Sequence, residues 1–171
     1  IWIQPASGDA GSALGAALMG WYENSNKPRI IDQNDSMKGT FLGCEFSNEE
    51  IKTYLREINA NFEELADEVL FEKLANILDE GKVIGWFNGP MEFGPRALGG
   101  RSIIGDPRKK EMQSVMNLKI KYRESFRPFA PSVLLEDVSN QFELDTKSPY
   151  MLLVAPLKKE LCKEVTSDQK K

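Results

Sequence analysis

The stretch from Lys82 to Gly105, KVIGWFNGPMEFGPRALGGRSIIG, constrains the chain more than any other. Two short apolar runs, KVIGWF and Ser102 to Gly105, have the length and composition of strands. Between them Gly94, Pro95, Gly99 and Gly100 break both helix and strand periodicity. The loop so defined begins at a strand's carboxyl end. Its large apolar side chains are Met91, Phe93 and Leu98, so it can bury little, yet it carries two arginines, Arg96 and Arg101. A guanidinium in a Gly/Pro-framed loop is suited to binding an anion, because its planar fork matches phosphate oxygens bidentately.

Around this loop the pattern alternates between helix and strand. IWIQ reads as a short strand. Asp9 follows at the N-cap position of an Ala-rich helix reaching about Trp21. Residues 23 to 40 are polar and punctuated by Gly, Asn and Pro, as in a linker. TFLGCEF is a strand candidate, and Ser47 with Glu50 forms the S-x-x-E capping box of a helix over NEEIKTYLREI. In DEVLFEKLANILDEG, Val69, Leu70, Leu74, Ile77 and Leu78 recur at helical spacing, with Gly81 as the stop signal. KVIGWF is expected to be a buried strand, Pro107 to about Leu118 a helix, and FAPSVLL and MLLVAP further strands. The class that results is α/β or α+β, with an irregular sheet.

With 41% hydrophobic and 28% charged residues, the chain has ordinary globular composition. No apolar run approaches the ~18 residues that a membrane span needs, and a cytoplasmic location is expected. Cys44 and Cys162 lie far apart, without CxxC spacing and without a single histidine in the chain, so they are expected to be inert thiols rather than zinc ligands. The opening at Ile1 and the polar close TSDQKK read as the edges of a piece cut from a longer protein.

The net charge of −4 argues against a general nucleic-acid binder, but its distribution is uneven. Residues 90 to 132 hold nine basic groups and four acids, whereas the remainder holds 13 basic and 22 acidic groups. Within this basic segment, NLKIKYRESFRPFAPS sets Lys119, Lys121 and Arg123 in alternation with Leu118, Ile120 and Tyr122. An extended chain would turn all three cations to one face, where like charges repel unless an anion lies between them. Arg127 follows, stiffened by Pro128 and Pro131. Solvated surface cations are the alternative reading. Two clusters framed by Gly and Pro favour a polyphosphate or nucleotide, with both clusters converging on one cleft.

GWFNGPMEFGPRALGGRSIIGDPR, LKIKYRESFRPFAPSVL and IQPASGDAGSALGAAL together resemble the C-terminal region of the O-carbamoyltransferase family, whose members carbamoylate nodulation factors and antibiotics such as cephamycins and tobramycin. The resemblance implies two coupled domains. One is a metal-containing, kinase-like (ASKHA-type) domain that transfers the carbamoyl group. The other is a C-terminal YrdC-like domain, a twisted mixed sheet with flanking helices, that makes carbamoyl-adenylate from carbamoyl phosphate and ATP. On this reading residues 1–24 are the strand-helix remnant of the kinase-like domain, residues 25–40 a linker and residues 41–171 the YrdC-like domain. Asp9 fits the metal-ligand slot of a GDAG-type motif, although within this chain a helix cap is the favoured reading and a competent metal site is not expected. The family's other ligands are histidines, which this chain lacks.

The roles implied by the resemblance are specific. Arg96 and Arg101 are the catalytic candidates, gripping carbamoyl phosphate or the α-phosphate, with Ser102 as a neutral donor. Lys121, Arg123 and Arg127 would face the remaining phosphates, and Ser132 a phosphate or the carbamoyl oxygen. Lys119 could join them. Glu92 is read as a salt-bridge partner orienting Arg96 or Arg101, or as a metal or base residue. The implied cofactors are ATP with Mg²⁺, and Fe²⁺ or another divalent metal in the full-length enzyme. The partners are carbamoyl phosphate, a small hydroxyl acceptor and the kinase-like domain of the same protein. A non-catalytic nucleotide- or RNA-binding YrdC-like module is the rival reading; the acidic body and the absence of aromatic residues interleaved for base stacking count against RNA.

Overall fold

The computed structural model describes residues 3–164 and forms two compact units, residues 1–129 and 130–171. The first unit begins with α1, Asp9–Ser25, whose N-cap is Gly8 and whose C-cap Asn26 adopts the left-handed conformation. Asp9 thus lies in the first helical turn, where its charge complements the helix dipole, and makes no side-chain cap. This corrects the N-cap expectation. The helix also runs beyond Trp21. The IWIQ expectation falls partly outside the described residues, and Ile3 and Gln4 are not in a strand.

Helix α2, Asn48–Glu57, starts at the expected capping box: the Ser47 hydroxyl accepts from Glu50 N–H, and the Glu50 carboxylate accepts from Ser47 N–H at 2.8 Å. Helix α3, Asp67–Asp79, sets Leu70, Leu74, Ile77 and Leu78 half-buried along one side, while Val69 stays exposed. Gly81 beyond it has φ +81°.

Two strands follow, β1, Ile84–Phe87, and β2, Arg101–Ile104, paired antiparallel with Phe87 opposite Arg101 and Trp86 opposite Ser102. They form the single, two-stranded sheet among the described residues. Residues 88 to 100 are therefore the long connection of a β-hairpin. Strand β1 is less buried than expected, with Ile84 and Trp86 half-buried and Gly85 and Phe87 exposed. The TFLGCEF segment is not a regular strand. It nevertheless lines the hairpin connection through an antiparallel bridge of Phe41 with Glu92 and through Gly43 N–H to Met91 O, Met91 N–H to Cys44 O and Phe93 N–H to Thr40 O.

The expected helix from Pro107 to Leu118 is shorter and mixed. α4, Met112–Val115, passes directly into a π-helical turn, Met116–Ile120. Met112 and Met116 are the buried apolar side chains of the described core, and both meet Gly105 just past β2. A methionine thioether conforms to irregular gaps of this kind.

In the second unit, FAPSVLL forms no strand. Pro128 and Pro131 supply no N–H to a ladder, and no partner segment pairs with it. MLLVAP is likewise not a strand. The pairing there is one bridge, Phe142 with Leu157, flanked by Glu143 N–H to Pro156 O and Lys158 N–H to Gln141 O, beside a one-turn α5, Val138–Gln141. The class is thus mixed α and β with a minimal sheet. Among the described residues no helix is long and apolar enough to cross a membrane.

The capping box offers a clean check on α2. Ser47→Ala should lower stability by about 1 kcal/mol, read as a lower midpoint in urea unfolding at unchanged slope.

Candidate functional site

The hairpin connection is organised by one carboxylate. Glu92 is 7% exposed, and its Oε1 accepts main-chain N–H groups from Leu98 at 2.7 Å, Gly100 at 2.6 Å and Arg101 at 3.2 Å. Burial pushes this carboxyl upward in pKa, and the backbone donors of Leu98, Glu92 itself, Gly100 and Arg101 together outweigh it, holding the group below its ordinary value. Among the described residues Glu92 makes no ion pair with Arg96 or Arg101, which corrects the salt-bridge expectation. Its negative charge is satisfied by main chain.

Two glycines make the arrangement possible. A Cβ at Gly100 would sit 2.6 Å from Pro90 O and 3.2 Å from Glu92 Oε2, so only glycine lets this amide reach the carboxylate. Gly94 has φ +112°, and a Cβ there would meet the Ala6 methyl at 2.6 Å.

The two loop arginines do different things. Arg101 turns back on its own hairpin: one terminal nitrogen donates to Gly89 O and Gly100 O, each at 2.9 Å, and its carbon lies 3.5 Å from the centre of the Phe87 ring. Longer contacts of 3.4 Å reach Asn88 O and Cys44 O. One terminal nitrogen is thereby committed to main-chain carbonyls, which makes Arg101 a clamp on the loop's base. Arg96 is exposed and has no hydrogen bond or ion pair among the described residues. It is the guanidinium free to take an anion. Ser102, half-buried on β2, accepts the Gly99 N–H at 3.1 Å.

The second basic cluster is not the extended comb expected. Lys119 lies in the π-helical turn, Lys121 has αR geometry, and Tyr122 has φ +49°, so the alternation of Lys119, Lys121 and Arg123 is broken. The cause is Asn117, fully buried at 0% exposure. Its side-chain amide donates to Ser125 O at 3.1 Å and Arg127 O at 2.8 Å, its Oδ1 accepts from Arg123 Nε at 2.6 Å, and its backbone carbonyl accepts from Arg123 N–H at 2.9 Å. These bonds coil the segment around one side chain, and they outweigh the extended preference that alternation suggests. Arg123 also stacks on Phe129, 4.8 Å from ring centre, and Arg127 pairs with Glu124 at 2.9 Å. Lys119 and Lys121 remain exposed without a side-chain partner among the described residues. Ser132 is exposed in the second unit.

The structure brings Glu92, Arg101 and Ser102 together at the hairpin, and Arg123 and Arg127 together around Asn117. No hydrogen bond or ion pair among the described residues joins the two groups. Sequence reasoning passed over Asn117, although a lone asparagine after an apolar helix and before a cationic run was the available signal. It also passed over Tyr122, 85% exposed, and Phe126, 76% exposed, which do interleave aromatic rings with Lys121, Arg123 and Arg127. Asp9 is exposed, the chain has no histidine, and among the described residues no three His, Cys, Asp or Glu side chains gather to hold a metal.

Because Arg101 holds the loop and Arg96 does not, the two should separate in stability measurements. Arg101→Ala is expected to cost about 1.5–3 kcal/mol, whereas Arg96→Ala should leave the unfolding midpoint unchanged. The depressed pKa of Glu92 sets a pH dependence as well. The stability it contributes is fully present above its ordinary value of 4.5 and is lost as pH falls through its lower folded-state value. Glu92→Gln should flatten that part of an acid unfolding profile.

Comparison with known proteins places these residues in a family. The model for the carbamoyltransferase C-terminus matches residues 75–169, more than half of the chain and including both basic clusters. An uncharacterized protein of Synechocystis is 60% identical over 99% of this chain and 28% of its own length. Nodulation protein NolNO of Sinorhizobium fredii is 41% identical over 92% of this chain and 23% of its own, and the 3'-hydroxymethylcephem-O-carbamoyltransferase of Streptomyces clavuligerus is 30% identical over 94% of this chain and 28% of its own. The chain therefore spans about a quarter of the length of the curated relatives it matches. With the loop bearing Arg96 and the coil around Asn117 both inside the matched region, the chain belongs to the carbamoyltransferase family, as its C-terminal part.

Proposed function

We propose that this chain is the carbamoyl-activating part of a carbamoyltransferase and forms carbamoyl-adenylate from carbamoyl phosphate and ATP. In this reading residues 41–171 are the YrdC-like domain, residues 25–40 a linker and residues 1–24 the end of a kinase-like domain that passes the carbamoyl group to a hydroxyl acceptor. The observation that carries it is the exposed, unpartnered Arg96 on a loop held rigid from behind, in a chain whose relatives include a named O-carbamoyltransferase.

Atom balance sets the steps. Carbamoyl phosphate reacts with water to release inorganic phosphate, the resulting carbamate oxygen attacks the α-phosphorus of ATP, and pyrophosphate leaves. Negative charge concentrates on the phosphoryl oxygens in the attack step, so a preplaced cation stabilises the transition state more than the ground state. Arg96 has the free guanidinium for that task. Lys119 and Lys121 carry free ammonium groups suited to the outer phosphates, with Mg²⁺ bound to the nucleotide. Arg123 keeps ring and side-chain contacts that fix its direction, Arg127 must exchange Glu124 for a phosphate to take part, and Ser132 would donate a hydroxyl. Arg101 acts by holding the loop and Ser102 by holding Gly99. Fe²⁺ or another divalent metal belongs to the remainder of the protein, with Asp9 contributing at most one ligand.

The exposed Tyr122 and Phe126 beside Lys121 and Arg127 favour a second reading, a module that stacks bases and binds nucleotide or RNA without turnover. Titration of ATP and of a short single-stranded RNA at two salt concentrations separates the two. The activation reading expects saturable ATP binding that weakens with salt, and the module reading expects RNA to bind more tightly than ATP.

The decisive measurement is carbamoyl-phosphate-dependent exchange of pyrophosphate into ATP by the full-length protein. Arg96→Ala should lower its rate on the order of 10²-fold, a loss of about 2–4 kcal/mol in the transition state. Unchanged exchange in this variant would remove Arg96 from the reaction.

A further inference from the structure

Glycine-rich loops commonly bind phosphate by aiming several main-chain N–H groups at one point. The hairpin connection has such a point, and something already stands on it. The N–H groups of Leu98, Gly100 and Arg101 converge on Oε1 of Glu92 at 2.7, 2.6 and 3.2 Å, and the absent side chain of Gly100 leaves no gap beyond the carboxylate and Pro90 O. The anion at the focus of this loop is internal. For an external phosphate to take the seat, Glu92 would have to give up all three of these charge-assisted bonds.

We propose that Glu92 is a positioning residue whose carboxylate permanently fills the N–H seat of the loop, so that the loop is shaped before any ligand arrives and meets external anions through the Arg96 side chain and not through its main chain. The consequence for the loop is direct. Phe93 to Ala97 form the arch between Glu92 and its first donor, and both feet of that arch are tied to one oxygen. Arg96 stands on the arch, exposed. The inference rests on the proposed function only for the identity of the anion that Arg96 meets.

The test is amide hydrogen exchange of the segment 98–101 in the full-length protein, with formate and inorganic phosphate as probes, in wild type, Glu92→Ala and Glu92→Gln. In wild type the segment should be protected, and neither probe should change its protection. In Glu92→Ala it should exchange about tenfold faster or more, and formate, a free carboxylate, should restore protection saturably. Glu92→Gln keeps an acceptor oxygen at the same reach without the charge, and covers the case in which the alanine variant does not fold. It should exchange several-fold faster than wild type.

Three results would each overturn the proposal: wild-type protection retained in both variants, faster exchange in Glu92→Ala that formate leaves untouched, or protection of the wild-type segment that rises with phosphate. A parallel measurement of pyrophosphate exchange should show a raised KM for carbamoyl phosphate in Glu92→Ala that formate lowers again. Absence of pyrophosphate exchange in wild type would count against the proposed function while leaving the amide result to decide the role of Glu92.

Discussion

A buried carboxylate bonded to main chain is the constraint on which the hairpin connection depends. A Gly/Pro-rich segment between two four-residue strands has little apolar surface with which to hold a shape, and the entropy of so many small residues opposes order. Three charge-assisted bonds to one oxygen supply the missing organisation. Because Glu92 also bridges Phe41, the same residue fastens the segment of residues 40–44 alongside the loop. Arg101 closes the loop from the other side, with carbonyls where Glu92 has amides.

The basic segment of the chain is less a field of free charge than its composition suggests. Arg108 is held between Asp79 at 2.7 Å and Asp106 at 2.9 Å, Arg127 is paired with Glu124, and Arg123 and Arg101 are engaged by Asn117 and by the hairpin carbonyls. Each of these arginines fixes a turn. The charge available to a ligand therefore rests on fewer groups, among them Arg96, Lys119 and Lys121. Here the partners of the charged side chains tell which of them cross-link the fold.

The elements legible in the sequence were those whose signals are local. The Ser47 capping box, the periodic face of α3 and the two strands around the Gly/Pro loop each depend on residues within one turn or one strand, and the structure has them. Segments whose shape depends on a distant or buried partner were misread. Alternation of cations and apolar residues from Leu118 to Arg123 is a valid strand pattern, but a buried asparagine with four hydrogen bonds, invisible to periodicity, coils the chain instead. FAPSVLL has apolar content but no partner with which to pair. In the loop, Arg96 and Arg101 stood out in the sequence, and the structure gives them different surroundings. Their opposite fates followed from which one faces Phe87 across the sheet, a matter of register.

The locks on the hairpin loop have one property in common: every hydrogen bond that Glu92 and Arg101 make there goes to main chain. Glu92 reads N–H groups, which every residue but proline supplies, and Arg101 reads carbonyls, which every residue supplies. Shape and chemistry are thereby uncoupled within a few residues of each other. The exposed side chains at 96 and 97 make none of the bonds that set the arch, whereas Gly100 and the two charged anchors do. A loop of this kind is an adaptable platform, able to change what it recognises by altering one residue at its crest while its foundation stays as it is.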